Sequence, residues 1–246
     1  MNAFSAVKSC RAERLWHRFR SYKDGGVLVF AQVDPAAHTL EEDLDAALAS
    51  NADGLEISLA RHDGLDWRLG HGTQALVLED ILAKLGEATL LCLKLEDADL
   101  QDYAAIAAQL HDHGAAQQTI LQVRLSARCP LAALVKEPFF HSVAVIIETP
   151  LEVLTTEPNM RQLHVPAHEV DFKSFEELNK ALFITRAKQA RLSVDVTKCA
   201  ANFSVLDLQH ARVIWQSLVD AGVTLIKAQN PDNLLKALGD WGLRPG

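Results

Sequence analysis

Several side chains that can do chemistry stand at the ends of short apolar runs. Glu56 lies in one such run, Lys94 closes a second, and Lys227 closes a third near the end of the chain. A carboxylate can bind a hard divalent cation, whereas a lysine ammonium can bind an anionic group. His71, in the loop LGHG, can exchange a proton near neutral pH. These residue types suit a site for a small anionic ligand.

Two further strand ends carry polar side chains. Gln32 can hydrogen-bond to a phosphate oxygen, and Arg124 adds positive charge. We expect function to concentrate where such strand ends meet, as it does at the mouth of a parallel barrel. The predicted ligand-binding side chains are Gln32, Lys94, Arg124 and Lys227.

The same residues permit other roles. Lys94 or Lys227 could form a Schiff base with a carbonyl substrate, which requires a depressed lysine pKa. Glu56 could instead pair with Lys94, and Lys94 could pair with Glu96 or Asp97, in which case these residues are structural. Both kinds of role remain open from the sequence.

The elements that position these residues follow from the alternation of short apolar runs with longer amphipathic stretches. This pattern is typical of strand, helix, strand units around a buried parallel sheet. The predicted strands are Val27–Ala31, Gly54–Ser58, Ala88–Leu93, Thr119–Val123, Val143–Ile147, Gln162–Val165, Ala190–Val194 and Thr224–Lys227. The predicted fold is therefore a (β/α)8 barrel of the TIM type.

Helical spacing of apolar residues supplies the crossovers between the strands. The predicted helices are Leu40–Ser50, Val77–Leu85, Leu100–His113, Phe175–Gln189 and Leu206–Ala221. Thr39 and Ser174 stand where a side chain can cap a helix N-terminus, and Gly114 and Gly222 suit helix C-termini. The segment from Glu148 to Lys173 is the least regular, and we expect loops there.

The whole chain, residues 1–246, is predicted to be one domain. Residues 1–25 form a helical extension with an apolar stripe of Leu15, Trp16 and Phe19, and residues 26–246 form the barrel. An open doubly wound sheet would show the same alternation. The absence of a GxGxxG phosphate loop after the first strand favours the barrel.

Composition disfavours several classes of partner. Of the 246 residues, 49% are hydrophobic and 23% are charged, with a formal net charge of -8, which predicts a globular protein. A negative charge disfavours nucleic acid and anionic membranes, because both attract concentrated Lys and Arg. The four cysteines form no CxxC pair, and no apolar run reaches membrane-spanning length. We therefore expect a cytoplasmic protein with reduced thiols.

Short motifs occur in a recognisable order along the chain. They read FAQVDPAAHTLEEDLDAAL, NADGLEIS, LGHG, VLEDIL, LLCLKLED and finally DAGVTLIKAQNPDNLLKAL. In this order and layout the sequence from Val27 onward resembles the glycerophosphodiester phosphodiesterase family. The resemblance implies a barrel, a divalent cation held by carboxylates, two proton-handling histidines, and a place in lipid metabolism. Glu56, His71 and Lys94 match the family's pattern, so the resemblance implies that Glu56 is a metal ligand and that His71 is an acid/base group.

The departures from that pattern fall on the residues that hydrolysis requires. Gln32 stands in place of the first histidine, Ser58 and Cys92 replace two metal carboxylates, and Ala228-Gln229 replaces Thr-Asp. Mg²⁺ and Ca²⁺ prefer several hard oxygen ligands, so we expect no tightly bound metal and at most a weak Mg²⁺ or Ca²⁺ site at Glu56. Cys92, in an apolar run, is expected to pack rather than to act as a nucleophile.

The sequence thus predicts a divergent family member, a pseudoenzyme with lost or greatly altered catalysis and a pocket for a phosphate-bearing or small anionic ligand. Three alternatives remain open. The chain could be an active phosphoric diester hydrolase with a rearranged metal site, using His71 and Glu56. It could be a Schiff-base barrel enzyme, or a non-catalytic interaction protein.

Overall fold

The computed structural model describes residues 13–21, 26–36, 39–62, 66–70, 75–85, 89–202 and 207–244. Eight of the described strands pair in parallel around a closed ring, because the strand Leu28–Gln32 pairs with Leu225–Ala228 on one side and with Gly54–His62 on the other. The predicted barrel is confirmed, and an open sheet is excluded. The ring consists of β1 (Leu28–Gln32), β2 (Gly54–His62), β5 (Leu90–Leu95), β6 (Thr119–Arg124), β7 (Ala144–Glu148), β8 (Ala167–Glu169), β9 (Arg191–Asp195) and β10 (Leu225–Ala228).

Two short strands extend the barrel beyond the end of β2. β3 (Asp66–Leu69) pairs antiparallel with the last residues of β2, and β4 (Leu76–Val77) pairs antiparallel with β3. This extension was not predicted. The predicted second strand ends at Ser58, whereas β2 continues to His62. The predicted acid/base residue His71 follows β3 and lies outside the described residues.

Helices cover the outside of the ring. They are α1 (residues 13–20), α2 (Leu40–Ala49), α3 (Leu78–Leu85), α4 (Leu100–Asp112), α5 (Leu131–Leu134), α6 (Phe139–Ser142), α7 (Leu151–Thr156), α8 (Pro158–Gln162), α9 (Phe175–Ala187), α10 (Val196–Asn202), α11 (Leu208–Ala221) and α12 (Pro231–Asp240). The five predicted crossover helices are present, although the predicted start of the last, Leu206, lies outside the described residues. None of the helices described has the length and apolar character needed to cross a membrane.

One predicted strand is wrong. Gln162 ends α8, and the strand at this place in the ring, β8, begins only at Ala167. Leu163 and Val165 are buried, but they do not pair in the sheet. The apolar run therefore reflects burial and not a strand. Pro166 follows them and has no N–H to donate to a sheet ladder, so it separates this buried run from β8.

The helix caps agree in part with prediction. The Ser174 hydroxyl accepts a hydrogen bond from the backbone N–H of Glu177 and caps α9. Thr39 does not cap α2, since its hydroxyl donates to the Glu42 carboxylate instead. Gly222 ends α11 with a φ of 95°, and Gly114 follows the C-cap of α4 with a φ of 68°, the left-handed conformation that glycine adopts without strain.

Strand alternation divides the core into two layers. Residues such as Val29 and Leu93 pack outward against the helices. The inward positions form a second cluster inside the ring, and in β1 and β5 they are Leu28, Phe30, Leu90 and Cys92. The interior of the barrel is therefore packed near its base, and only the ends of the strands carry polar groups inward.

Helix α1 covers the base of the barrel. Leu15 and Phe19 join the interior cluster, and the Phe19 side chain is fully buried. Below them the buried guanidinium of Arg191 donates to the carbonyl oxygens of Arg18, Phe19 and Ser21 at the C-terminal end of α1. These hydrogen bonds satisfy carbonyl groups that a helix end otherwise leaves unpaired.

Candidate functional site

The carboxyl ends of the barrel strands bring a set of polar side chains together. These side chains stand at the inward positions beyond the apolar interior, so they meet at the mouth. They are Gln32, Glu56, Lys94, Gln122, Arg124, Glu148, Glu169, Ser193, Asp195 and Lys227. All four predicted ligand-binding residues and the predicted metal ligand belong to this set.

Lys227 lies at the centre of the set and is fully buried. Its ammonium forms ion pairs with the carboxylates of Glu56 and Glu169, and it donates a hydrogen bond to the side-chain oxygen of Gln122. Burial alone lowers the pKa of Lys227, but the carboxylates of Glu169 and Glu56 outweigh burial and leave that pKa well above its ordinary value. The two carboxylates therefore favour the charged form of Lys227.

Glu169 completes this ion pair from the opposite side of the barrel. Burial raises the pKa of Glu169, but the Lys227 ammonium outweighs it and holds that pKa below its ordinary value. The same carboxylate accepts hydrogen bonds from Ser193 Oγ at 3.1 Å and from Gln122 Nε2 at 3.1 Å. It is thus fixed as an anion by three neighbours.

Gln122 links the central ion pairs to the rim of the mouth. Its amide nitrogen donates to Glu148 Oε2 at 2.7 Å while its oxygen accepts from Lys227. Sequence reasoning missed Gln122, Glu148 and Glu169. Glu148 falls one residue past the end of the predicted strand, and Glu169 belongs to the strand that was misplaced. The pattern of a polar residue closing a buried apolar run, as in AVIIE, could have located Glu148.

Gln32 is engaged by neighbouring side chains. Its amide nitrogen donates to Glu56 Oε1 at 2.9 Å and to Asp195 Oδ2 at 3.1 Å, and its oxygen accepts from Thr197 Oγ1 at 3.3 Å. A carboxamide cannot exchange a proton as an imidazole can. Gln32 therefore cannot act as an acid or a base, and its hydrogen bond orients the Glu56 carboxylate.

Lys94 and Arg124 line one open cleft of about 490 Å³ at the edge of the mouth. The lining of the cleft also includes the cation of Arg128 and the carboxylates of Glu96 and Asp97. The side chains of Lys94 and Arg124 are 21% and 59% exposed, so a ligand can reach both. Three cationic side chains thus line this cleft.

Both of these cations already share one carboxylate. Arg124 Nε donates to Glu148 Oε1 at 2.8 Å, and Lys94 Nζ lies 3.8 Å from Glu148 Oε2. The alternative partners proposed for Lys94, Glu96 and Asp97, are therefore not its ion-pair partners. Lys227 does not belong to the lining of this cleft, and its buried ammonium is paired with Glu56 and Glu169.

A second cleft of about 710 Å³ adjoins Arg124 on the side of β7 to β9. Lys198, from the start of α10, stands in its wall and pairs with Asp171 at 3.1 Å and Glu169 at 3.7 Å. Sequence analysis did not identify Lys198. The two clefts thus flank Arg124 on either side.

Cys92 and Ser58 do not replace carboxylates. Burial raises the pKa of Cys92 to about 12, so it remains a thiol, and its Sγ lies 3.8 Å from Gln122 Oε1. Ser58 is the neighbour of Lys94 in the register of β2 and β5. A neutral hydroxyl and a protonated thiol are poor ligands for Mg²⁺ or Ca²⁺.

The residues around Glu56 do not fit the divalent cation that the resemblance implies. Among the described residues, no three His, Cys, Asp or Glu side chains are grouped as metal ligands. A divalent ion bound to Glu56 Oε2 would also lie against the Lys227 ammonium, which contacts the same oxygen. Like charges at such a separation repel strongly in a buried site.

The fold is shared with known phosphodiesterases. The sequence itself matches no protein-family model and no curated protein. A glycerophosphoryl diester phosphodiesterase from Parabacteroides distasonis superposes with a TM-score of 0.69 at 12% identity, covering 94% of this chain and 92% of its own. A phosphodiesterase from Oleispira antarctica, solved with its product sn-glycerol-3-phosphate, gives 0.64 at 13% identity, with 89% and 99% covered. This chain has their barrel fold.

The likeness does not reach further than the fold. A 2,3-dimethylmalate lyase also superposes, with a TM-score of 0.51 at 12% identity, covering 94% of this chain and 85% of its own. One barrel architecture supports different chemistries through the residues at its mouth. The mouth described above, rather than the superposition, must therefore carry any statement about activity.

Proposed function

We propose that this chain is a glycerophosphodiester phosphodiesterase-like barrel that binds a small phosphate-bearing or other small anionic ligand, with the hydrolysis lost or greatly altered. The observation that carries the proposal is the cleft in which Lys94, Arg124 and Arg128 come together at the mouth. Guanidinium and ammonium groups are the usual ligands of phosphate and carboxylate groups. A role in lipid metabolism and a cytoplasmic location stay predictions.

Loss of hydrolysis is supported by the state of the inner mouth. Glu56 is paired with Lys227, Gln32 is an amide where the family pattern has a histidine, and Cys92 is a thiol. Losing one positioned acid or base forfeits roughly 10² to 10⁴ in rate, and losing the cation removes further charge stabilisation. The high pKa of Lys227 also argues against Lys227 as a Schiff-base nucleophile, which must be neutral.

The proposal is tested by titrating sn-glycerol 3-phosphate and inorganic phosphate into the purified protein, with calorimetry or protein NMR shifts as the readout. We expect binding that weakens roughly tenfold in Lys94→Met and in Arg124→Gln, because each removes a charge-assisted hydrogen bond. Lys84→Met is the matched control, since Lys84 pairs with Asp45 at 3.2 Å and does not line the cleft.

A hydrolysis assay on glycerophosphodiesters, with and without Mg²⁺ or Ca²⁺, tests the second half of the proposal. We expect no turnover above background in either condition. Metal-dependent turnover abolished by Glu56→Ala would instead establish an active hydrolase with a rearranged site. If neither phosphate compound binds at millimolar concentration, the ligand class is wrong.

A further inference from the structure

Three side-chain oxygens converge on one buried point at the mouth. Glu56 Oε2, Glu169 Oε2 and Gln122 Oε1 all contact Lys227 Nζ, and they come from β2, β8 and β6. Carboxylate and carboxamide oxygens are the ligands that hard divalent cations take in proteins. The occupant of this oxygen cage is an ammonium group attached to the chain.

Each side chain of the cage has a hydrogen-bond partner besides Lys227. Gln32 donates to Glu56 Oε1 at 2.9 Å, and Ser193 donates to Glu169 Oε2 at 3.1 Å. The Gln122 amide nitrogen donates to Glu148 at 2.7 Å, which directs its oxygen towards the centre. Such second contacts fix the orientation of ligand groups around a cation. Each cage oxygen is therefore oriented by a second contact as well as by Lys227.

The charges of the cage require a cation. Two buried carboxylates, Glu56 and Glu169, face one another across it, and a buried charge without a partner is strongly destabilising. Lys227 supplies a single positive charge that cannot dissociate, since its side chain is fully buried and covalently attached. A metal ion would supply the charge only when bound.

We propose that Lys227 is a built-in replacement for a divalent cation, and that the cage of Glu56, Glu169 and Gln122 becomes a divalent-cation site once the ammonium is removed. The charge balance of the cage does not depend on which ligand the cleft binds, because none of the three cage residues lines the cleft of Lys94 and Arg124. Lys227 acts as a positioning residue that keeps the mouth assembled in the absence of metal.

The test compares the full-length wild-type protein with Lys227→Ala, both stripped of metal, by thermal melting in EDTA and in Mn²⁺, Ca²⁺ or Mg²⁺. The melting temperature of the wild type should be the same in EDTA as in any of the three metal ions. Lys227→Ala should melt at a lower temperature in EDTA and regain about 3 to 5 °C at a metal concentration roughly tenfold above its dissociation constant. Calorimetry should show one metal site in the variant and none in the wild type.

Two control variants make the assignment specific. Lys198→Ala removes an exposed cation that also pairs with Glu169, and it should create no metal site. Lys227→Ala combined with Glu56→Gln and Glu169→Gln neutralises the cage, so its stability should not respond to metal. Equal ionic strength from K⁺ should not replace the divalent ion in any variant.

Folding of the variant is addressed by a second measurement. If Lys227→Ala is not recovered folded in EDTA, its refolding yield from urea is measured with and without Ca²⁺, and for Lys227→Ala/Glu169→Gln as well, which buries one carboxylate fewer. Divalent-dependent recovery supports the proposal. The proposal is overturned if neither variant gains stability or yield from divalent ions, or if the wild type binds a divalent ion that Glu56→Gln abolishes.

Discussion

His168 is a buried titratable side chain with an unusual environment. It is fully buried on β8, and neither ring nitrogen has a hydrogen-bond partner among the described residues. Burial, with a smaller contribution from the nearby Lys188 ammonium, lowers the pKa of His168 to about 3. The folded protein therefore holds a neutral imidazole that the unfolded chain would protonate near pH 6.5.

This difference predicts a loss of stability in mild acid. The folded pKa lies below the unfolded one, so stability is complete above pH 6.5 and is lost as pH falls towards 3. Between about pH 7.5 and about pH 5 the free energy of unfolding should fall by about 2 kcal/mol through His168. Urea denaturation at the two pH values measures the change, and His168→Leu should remove most of it.

Two features keep that measurement specific. Glu169 has a lowered pKa, so its stabilising contribution is present above pH 4.5 and is lost only below that value, outside the window chosen. His164 is an exposed histidine from the same region, and His164→Leu should leave the pH dependence unchanged. An equal pH dependence in His168→Leu and in the wild type would contradict the assignment.

At the scale of single elements, α2 and α9 have similar N-terminal sequences but different caps. Ser174 accepts from the Glu177 backbone N–H at 3.2 Å, whereas the Thr39 hydroxyl donates to the Glu42 side chain at 2.8 Å. A cap stabilises a helix by satisfying one of its unpaired first-turn amides, and a contact between two exposed side chains does not. We therefore expect the Ser174 hydroxyl to contribute more to the free energy of unfolding than the Thr39 hydroxyl does.

We predict that Ser174→Ala lowers the free energy of unfolding by about 1 kcal/mol, and that Thr39→Ala lowers it by less than about 0.5 kcal/mol. Each substitution removes one hydroxyl near the start of a helix, so each serves as the control for the other. Chemical denaturation of both variants measures the difference. Equal losses would show that Thr39 caps α2 in solution.

At the scale of the whole molecule, the base and the mouth of the barrel use buried charge differently. Arg191 at the base faces main-chain carbonyl oxygens, including those of Gly26 and Thr224 as well as the end of α1.

Asp53 adds ion pairs to Arg18 at 3.4 Å and Arg244 at 2.7 Å, which bring α1 and the end of the described chain together. The base is a structural junction, and the open clefts lined by Lys94, Arg124 and Lys198 lie at the mouth.

Arg191→Met should therefore be strongly destabilising. It leaves several carbonyl groups beneath α1 without a donor, and we expect a loss of at least about 3 kcal/mol in the free energy of unfolding. Arg20→Met is the control on the same helix, since Arg20 is exposed and its guanidinium carbon lies 5.8 Å from the centre of the Trp16 ring. Similar losses in the two variants would show that Arg191 does not hold α1 against the barrel.

The sequence alone determined the barrel and much of its mouth. Alternating short apolar runs and amphipathic stretches located seven of the eight ring strands, because local periodicity reports which face of each element is buried. The same reasoning placed Gln32, Glu56, Lys94 and Lys227 at strand ends. It failed where the apolar run before Pro166 is buried without pairing, and the displacement of β8 hid Glu169.

Only the tertiary structure decided what those residues do together. Lys227 and Glu169 are separated by 58 positions, and Lys227 and Gln122 by 105, so their meeting depends on the stagger of strands around the ring. Sequence spacing therefore left Lys227 as a ligand-binding or nucleophilic lysine. Closure of the barrel instead buries its ammonium between two carboxylates, because a charge removed from water is stable only beside opposite charge.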